Sequence, residues 1–240
     1  ERLGALLDAG LDICRLNFSH GDLEQHARTL ELVRSLSAER GRPVCVIGDL
    51  AGPKIRLGRV PNGPIELPTG GRVRIVPGDG DCTAERLTVN YPALLEEVGV
   101  GQRLYIDDGL VRLVVAEGAA HALVCEVVAG GPIDAHKGVN LPDTPLSVPA
   151  LTEKDRADLD WSITHGVDYV ALSFVREPDD LYELKRLIKQ RGGGPGVIPK
   201  IEKTQALGHL EELIAHSDAV LVARGDLGVE IDLWRVPVIQ

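Results

Sequence analysis

Apolar and polar positions along the chain follow a strand-and-helix rhythm at both ends, with a different texture between. Residues 1–9 carry Leu3, Leu6 and Leu7 at helical spacing, and residues 11–18 alternate as a strand. Residues 22–40 read as a helix opened by Asp22 and closed by Gly41, with Ala27, Leu30, Val33 and Leu36 on one stripe. Residues 43–50 form an apolar run of the kind found in sheets covered on both faces. From about Leu57, glycine and proline become frequent and helical periodicity vanishes. Short alternating segments appear at 72–76, 103–106 and 111–115, the last two joined by the turn-forming pair Asp108-Gly109. At Thr152 the first rhythm returns. Thr152-Glu153-Lys154-Asp155 reads as a capping box, 168–175 as a strand, and 178–191 as a helix ended by Gly192-Gly193-Gly194. Residues 196–202 then read as a strand, 204–216 as a helix and 219–227 as a strand.

Five strands alternating with helices, interrupted after the second by a mostly β stretch, predict an α/β chain. It holds about five of the eight βα units of a (β/α)8 TIM barrel, with an inserted small β-barrel domain. The barrel portion covers residues 1–56 and 147–240, and the insertion residues 57–146. A doubly wound sheet is the competing arrangement. No Gly-rich dinucleotide fingerprint or phosphate-cradling loop follows any strand, which counts against it.

Composition narrows the function classes. A net charge of −10 and the lack of any basic run argue against nucleic acid as a partner. No apolar stretch is long enough for a bilayer and no signal peptide is visible, which points away from membranes and toward a cytoplasmic location. The four cysteines, Cys14, Cys45, Cys82 and Cys125, form no C-x-x-C pair, and three lie in apolar runs, as buried thiols do. The chain has no methionine, begins at Glu1 inside a helical pattern and stops at Gln240 without a cap, so it reads as a piece of a longer protein.

The candidate chemistry sits where strands meet loops. Arg15, Asn17 and Ser19 share one face at the end of the first strand, and a guanidinium among them suits a carboxylate or phosphate. Asp49 ends the second strand, followed by Gly52, Lys54 and Arg56. Lys200 and Glu202, two apart, project to one side, and Asp226 follows the next strand-like run. On neighbouring parallel strands these two carboxylates and the ammonium form a site for a hard metal ion and a phosphate. Gly225 lets backbone approach a ligand. His26, His121, His136, His165, His209 and His216 show no metal-ligand spacing.

Five segments in order resemble the pyruvate kinase family across essentially the whole chain. They are Arg15-Leu16-Asn17-Phe18-Ser19-His20-Gly21, Asp49-x-x-Gly52-Pro53-x-Ile55-Arg56, Lys137-Gly138-Val139-Asn140-Leu141-Pro142, Lys200-Ile201-Glu202 and Arg224-Gly225-Asp226-Leu227-Gly228-Val229-Glu230. The resemblance implies a glycolytic phosphotransferase that moves the phosphoryl group of phosphoenolpyruvate to ADP, giving pyruvate and ATP. It implies that Arg15 binds the phosphoenolpyruvate phosphate and that Lys200 stabilises the moving phosphoryl group. Glu202 and Asp226 would ligate Mg2+ or Mn2+, with backbone around Gly225 and Asp226 touching substrate. Asn17, Phe18, Ser19, His20, Arg56 and Lys137 match nucleotide contacts, and the insertion would act as a lid. Asn17, Ser19, Asp49 and the carbonyl of Leu50 match a monovalent-cation site.

Lys54 stands where potassium-dependent members carry glutamate, so K+-independent activity is expected. The resemblance also implies a homotetramer at full length. It places the first barrel strand before Glu1 and the last two after Gln240, so the 240-residue piece alone is expected to be inactive and poorly folded. A Mg-dependent barrel aldolase or lyase acting on enolpyruvate lacks a reason for the β insertion and for Lys137. A non-catalytic kinase-derived binding module would be expected to have lost Lys200, Glu202 or Asp226.

Overall fold

The alternation of strand and helix expected at both ends of the chain is present in the computed structural model, which describes residues 2–240. Glu1, part of the expected first helix, lies outside the described residues. The elements run α1 (Arg2–Asp8), β1 (Ile13–Asn17), α2 (Leu23–Arg40), β2 (Cys45–Asp49), β3 (Ile65–Leu67), β4 (Arg72–Pro77), β5 (Arg86–Val89), α3 (Leu94–Glu97), β6 (Arg103–Ile106) and β7 (Val111–Ala119). They continue with β8 (Ala122–Ala129), β9 (Gly131–Ile133), β10 (Val139–Asn140), α4 (Glu153–Thr164), β11 (Tyr169–Leu172), α5 (Pro178–Gln190), β12 (Gly196–Ile201) and α6 (Leu210–Ala215). The last are β13 (Leu221–Val222), α7 (Arg224–Glu230) and α8 (Val236–Ile239). Two compact units result: the chain up to Pro53 together with Pro149–Ala223, and Lys54–Val148 together with Arg224–Gln240.

In the first unit β1, β2, β11, β12 and β13 lie side by side in that order, all parallel. This is the partial (β/α)8 barrel sheet, and its local signals are the ones the sequence carries. Asp22 caps α2 by accepting from the Gln25 amide at 2.8 Å, and Gly41 ends the helix at φ 58, a conformation an L-residue with a Cβ rarely adopts. Thr152 and Asp155 close a reciprocal capping box on α4. Pro178 occupies the first turn of α5, which buries Leu181, Leu184, Leu187 and Ile188.

Strand pleating then sorts the sheet into two faces. Leu16, Val44 and Val46 pack outward on Leu7, Leu30 and Val33, and Phe18, Leu50, Val170, Leu172 and Val197 on Leu159, Leu181 and Leu184. The opposite face holds Ile47, Ala171 and Ile198 as an apolar floor.

Gly48 is required by this packing. A Cβ there would stand 2.9 Å from Phe18 Cε2 and 3.0 Å from Ser162 Oγ. The substitution Gly48→Ala is expected to cost about 1–3 kcal/mol through overpacking, read as a lower urea midpoint. An unchanged midpoint would show that the Phe18 ring yields freely.

The second unit is β-rich, with a six-stranded sheet ordered β10-β6-β7-β8-β4-β5 and a separate β3-β9 pair. Isolated bridges from Arg56 to Gly138 and from Leu57 to Val89 run from one segment toward both edges of the larger sheet. Asp107, Asp108 and Gly109, at φ 52, 54 and 82, make the expected turn between β6 and β7. All four cysteines are free. Burial pushes the Cys125 thiol up to about 12, so it packs as a small hydrophobe.

The structure departs from the sequence reading near the C-terminal end. The expected strand over 219–227 contracts to Leu221–Val222, and residues 224–230 form α7. Leu227 and Glu230, three apart, are buried on one side of that helix, and Val229 lies beside Gly109 of the β-rich unit. This helical burial spacing competes with the alternation from which a strand is expected. The helix expected over 204–216 is a 3-10 turn at Gln205–His209 followed by α6.

Candidate functional site

Strand register in the first unit brings four charged side chains to the C-terminal rim of the sheet. Asn17 pairs with Asp49, Asp49 with Ala171, and Ala171 with Ile198. Residues two further along each strand share the inner face with the Ile47, Ala171 and Ile198 floor. Asp49 is only 3% exposed. Its Oδ2 accepts an ion pair from Arg15 Nε at 3.2 Å, and its Oδ1 lies 3.4 Å from Lys200 Nζ. Lys200 Nζ also reaches Glu202 Oε1 at 3.1 Å and donates to Ser173 Oγ at 2.7 Å.

The ammonium is thus held between two carboxylates and a hydroxyl in a largely dry setting, where such pairs are strongly oriented. Arg15 differs, being anchored at Nε with its side chain 51% exposed. Its free edge can take a planar anion.

The loops beyond β1 and β2 are laced by backbone bonds. The Phe18 amide donates to the Asp49 carbonyl at 3.0 Å, the Leu50 amide to the Ala171 carbonyl at 3.0 Å, and the His20 amide to the Asn17 carbonyl at 3.1 Å. Asn17 Oδ1 accepts from the Ser19 amide at 3.0 Å. The Phe18 ring is core, packed edge-on against His26 and Trp161, so only its backbone can face a ligand. Leu50 is buried with its side chain in the same core.

Other expected site residues belong to the second unit. Arg56 Nη1 donates to the His136 carbonyl at 2.7 Å, and its amide to Asn90 Oδ1 at 2.6 Å. Lys137 pairs with Asp107 at 3.0 Å, and the hydrogen bond to that carboxylate raises the ammonium above its ordinary range. The Lys54 carbonyl accepts from Asn90 Nδ2. Asp226 and Gly225 are exposed on α7, and open space surrounds the position a Cβ would take at Gly225. Crowding therefore does not demand glycine there.

Glu202 and Asp49 are the hard-oxygen donors of the first-unit rim, and Lys200 stands against both. Among the described residues no group of three His, Cys, Asp or Glu side chains is able to hold a metal ion. Asp49 Oδ1 is buried and makes no hydrogen bond, facing the Lys200 ammonium at 3.4 Å as an ion pair.

Sequence reasoning missed Ser173 and Phe174. Ser173 is 4% exposed and orients Lys200. The signal available was its position two residues after Ala171, hidden within an apolar run. Phe174 has φ 64, a strained value for a residue with a side chain, and carries Lys203 Nζ 4.4 Å above its ring.

The family model for the pyruvate kinase barrel domain matches residues 1–240. A pyruvate kinase of Mycobacterium intracellulare is 45% identical over 240 residues, covering 100% of this chain and 51% of that protein. One of Corynebacterium glutamicum is 44% identical over 235 residues, 98% of this chain and 50% of that protein. One of Geobacillus stearothermophilus is 39% identical over 243 residues, 100% of this chain and 41% of that protein. The chain spans about half the length of the first two of these relatives. These matches favour the kinase reading over a barrel lyase or a binding module, and with the parallel half-barrel and its charged rim they establish that the chain belongs to the pyruvate kinase family.

Proposed function

We propose that the protein containing this chain transfers the phosphoryl group of phosphoenolpyruvate to ADP. The bridging P–O bond of phosphoenolpyruvate breaks, a P–O bond forms to the ADP β-phosphate, and the enolate left behind takes a proton at carbon to become pyruvate. The observation that carries this reading is the Lys200 ammonium, fixed by Ser173, Glu202 and Asp49 beside the half-exposed Arg15. Phosphoryl transfer asks the protein mainly for position and charge neutralisation. Arg15 would hold the substrate phosphate bidentately, and Lys200 would meet the charge on the equatorial oxygens of the moving group.

Nucleotide contacts are assigned to Asn17, Ser19, His20, Arg56 and the Phe18 backbone, with Lys137 supplied by a lid domain at 57–146 that forms a small β-barrel. The family requires a divalent metal in general, and Glu202 with Asp226 are its proposed Mg2+ or Mn2+ ligands. The carbonyl of Leu50 with Asn17, Ser19 and Asp49 would hold a monovalent cation, whose charge Lys54 replaces. A homotetramer is the proposed assembly. Among the described residues no helix is long and apolar enough to cross a membrane.

The test is coupled measurement of pyruvate formation by the full-length protein, with and without ADP and with and without K+. ADP-dependent turnover that persists without K+ is expected. Pyruvate release independent of ADP would favour a lyase, and strict K+ dependence would sink the role of Lys54.

A further inference from the structure

Helix α4 opens with charged side chains that phosphoryl transfer does not use. Asp155 is fully buried. Its Oδ2 closes the capping box, accepting from the Thr152 amide at 2.9 Å and from Thr152 Oγ1 at 2.6 Å. Its Oδ1 does something a cap does not need: it accepts from the Gly52 amide at 3.1 Å, in the loop after β2. Its neighbour Lys154 donates through Nζ to the Phe18 carbonyl at 2.9 Å, in the loop after β1, and to Asp158 Oδ2 at 2.6 Å. Asp158 is 3% exposed, and burial raises its carboxyl above the ordinary range while Lys154 opposes that shift.

Both anchored points adjoin the site. Phe18 lies between Asn17 and Ser19, and Gly52 lies three residues after Asp49. Gly52 sits at φ 65 with room for little else, since a Cβ there would stand 3.1 Å from the Cβ of Ser173, the residue that orients Lys200. A charged acceptor on the Gly52 amide and a charged donor on the Phe18 carbonyl are stronger restraints than neutral bonds.

We propose that Lys154 and Asp155 are positioning residues, by which the first turn of α4 holds the loops after β1 and β2, and through them Asn17, Asp49 and the Ser173–Lys200 bond, in register. The kinetic consequence rests on the phosphotransfer reading; the loop restraint rests on the hydrogen bonds alone.

The test compares four variants of the full-length protein. Thr152→Ala weakens the cap but leaves the Asp155–Gly52 bond, whereas Asp155→Ala removes both. Lys154→Met removes the Phe18 bond together with the Asp158 ion pair, at small packing cost because that side chain is 58% exposed, and Lys154→Arg restores a charged donor to both. Amide hydrogen exchange over residues 50–53 is expected to speed up about tenfold or more in Asp155→Ala and to stay near wild type in Thr152→Ala. Exchange over 17–20 should rise similarly in Lys154→Met and recover in Lys154→Arg. The same two loosened variants should lose about tenfold in kcat with a smaller change in KM, since a misplacement near 1 Å is enough for such a loss.

Equal loop exchange in Asp155→Ala and Thr152→Ala, or unchanged exchange in Lys154→Met, would overturn the proposal. If Asp155→Ala does not fold, the Lys154 pair decides it. Variants whose loops exchange as expected, in a protein whose wild type makes no pyruvate, would refute the phosphotransfer reading while supporting the loop restraint.

Discussion

Lys200→Ala is expected to lower kcat for pyruvate formation by about a thousandfold while moving KM for phosphoenolpyruvate little. The ammonium sits in a site where its side chain is 13% exposed and both carboxylate neighbours are nearly dry, 4% for Asp49 and 12% for Glu202. A preorganised charge in such a setting needs no solvent rearrangement as negative charge shifts onto the moving phosphoryl group, and removing one such group costs roughly 10²–10³ or more in kcat. Substrate phosphate binding is assigned to Arg15, whose link to Asp49 survives the change, so KM should hold.

The same substitution should also cost stability. Breaking a buried pair from one side costs roughly 3–5 kcal/mol. The loss here should lie toward the lower end, because Asp49 keeps Arg15. Urea denaturation checks the stability arm, and a variant retaining more than about a tenth of wild-type kcat would remove Lys200 from the chemistry.

The parts of this fold legible in the sequence were those governed by short-range rules. Asp22 and Gly41 bound α2 because a cap acceptor and a left-handed glycine act within one turn. The five parallel strands were legible because apolar runs of strand length alternate with amphipathic helices. Lys200 and Glu202 could be placed together because a spacing of two on a strand fixes a shared face.

Non-local pairings left no such trace. The Thr152–Asp155 box is visible locally, yet the bond from Asp155 to Gly52 spans 103 positions and nothing near either residue announces it. Ser173 was hidden because a strand read through to residue 175 does not say which position meets the neighbouring lysine. The expectation of a strand at Asp226 arises because Leu221 and Val222 look like the start of a longer one. The 3.6-residue burial of Leu227 and Glu230 becomes apparent only once a surface for that helix is known.

Asp49→Asn is the sharper test of how the rim works as a unit. The carboxylate faces Arg15 with one oxygen and Lys200 with the other, and the exchange preserves shape while turning one of those oxygens into an NH2 donor. Whichever way the amide rotates, one cation meets a donor, and both lose the buried counter-charge that fixes their separation. A loss of about a hundredfold in kcat/KM is expected. Unlike Lys200→Ala it should include a clear rise in KM, because Arg15, already half exposed, loses the anchor that aims it.

The double variant with Lys200→Ala then separates two routes. If Asp49 works chiefly by holding Lys200, the kcat loss of the double variant should scarcely exceed that of Lys200→Ala, as for residues that act together. Fully additive losses in kcat would mean that Asp49 contributes independently of Lys200, and its hold on Arg15 would be the interaction that sets the rate.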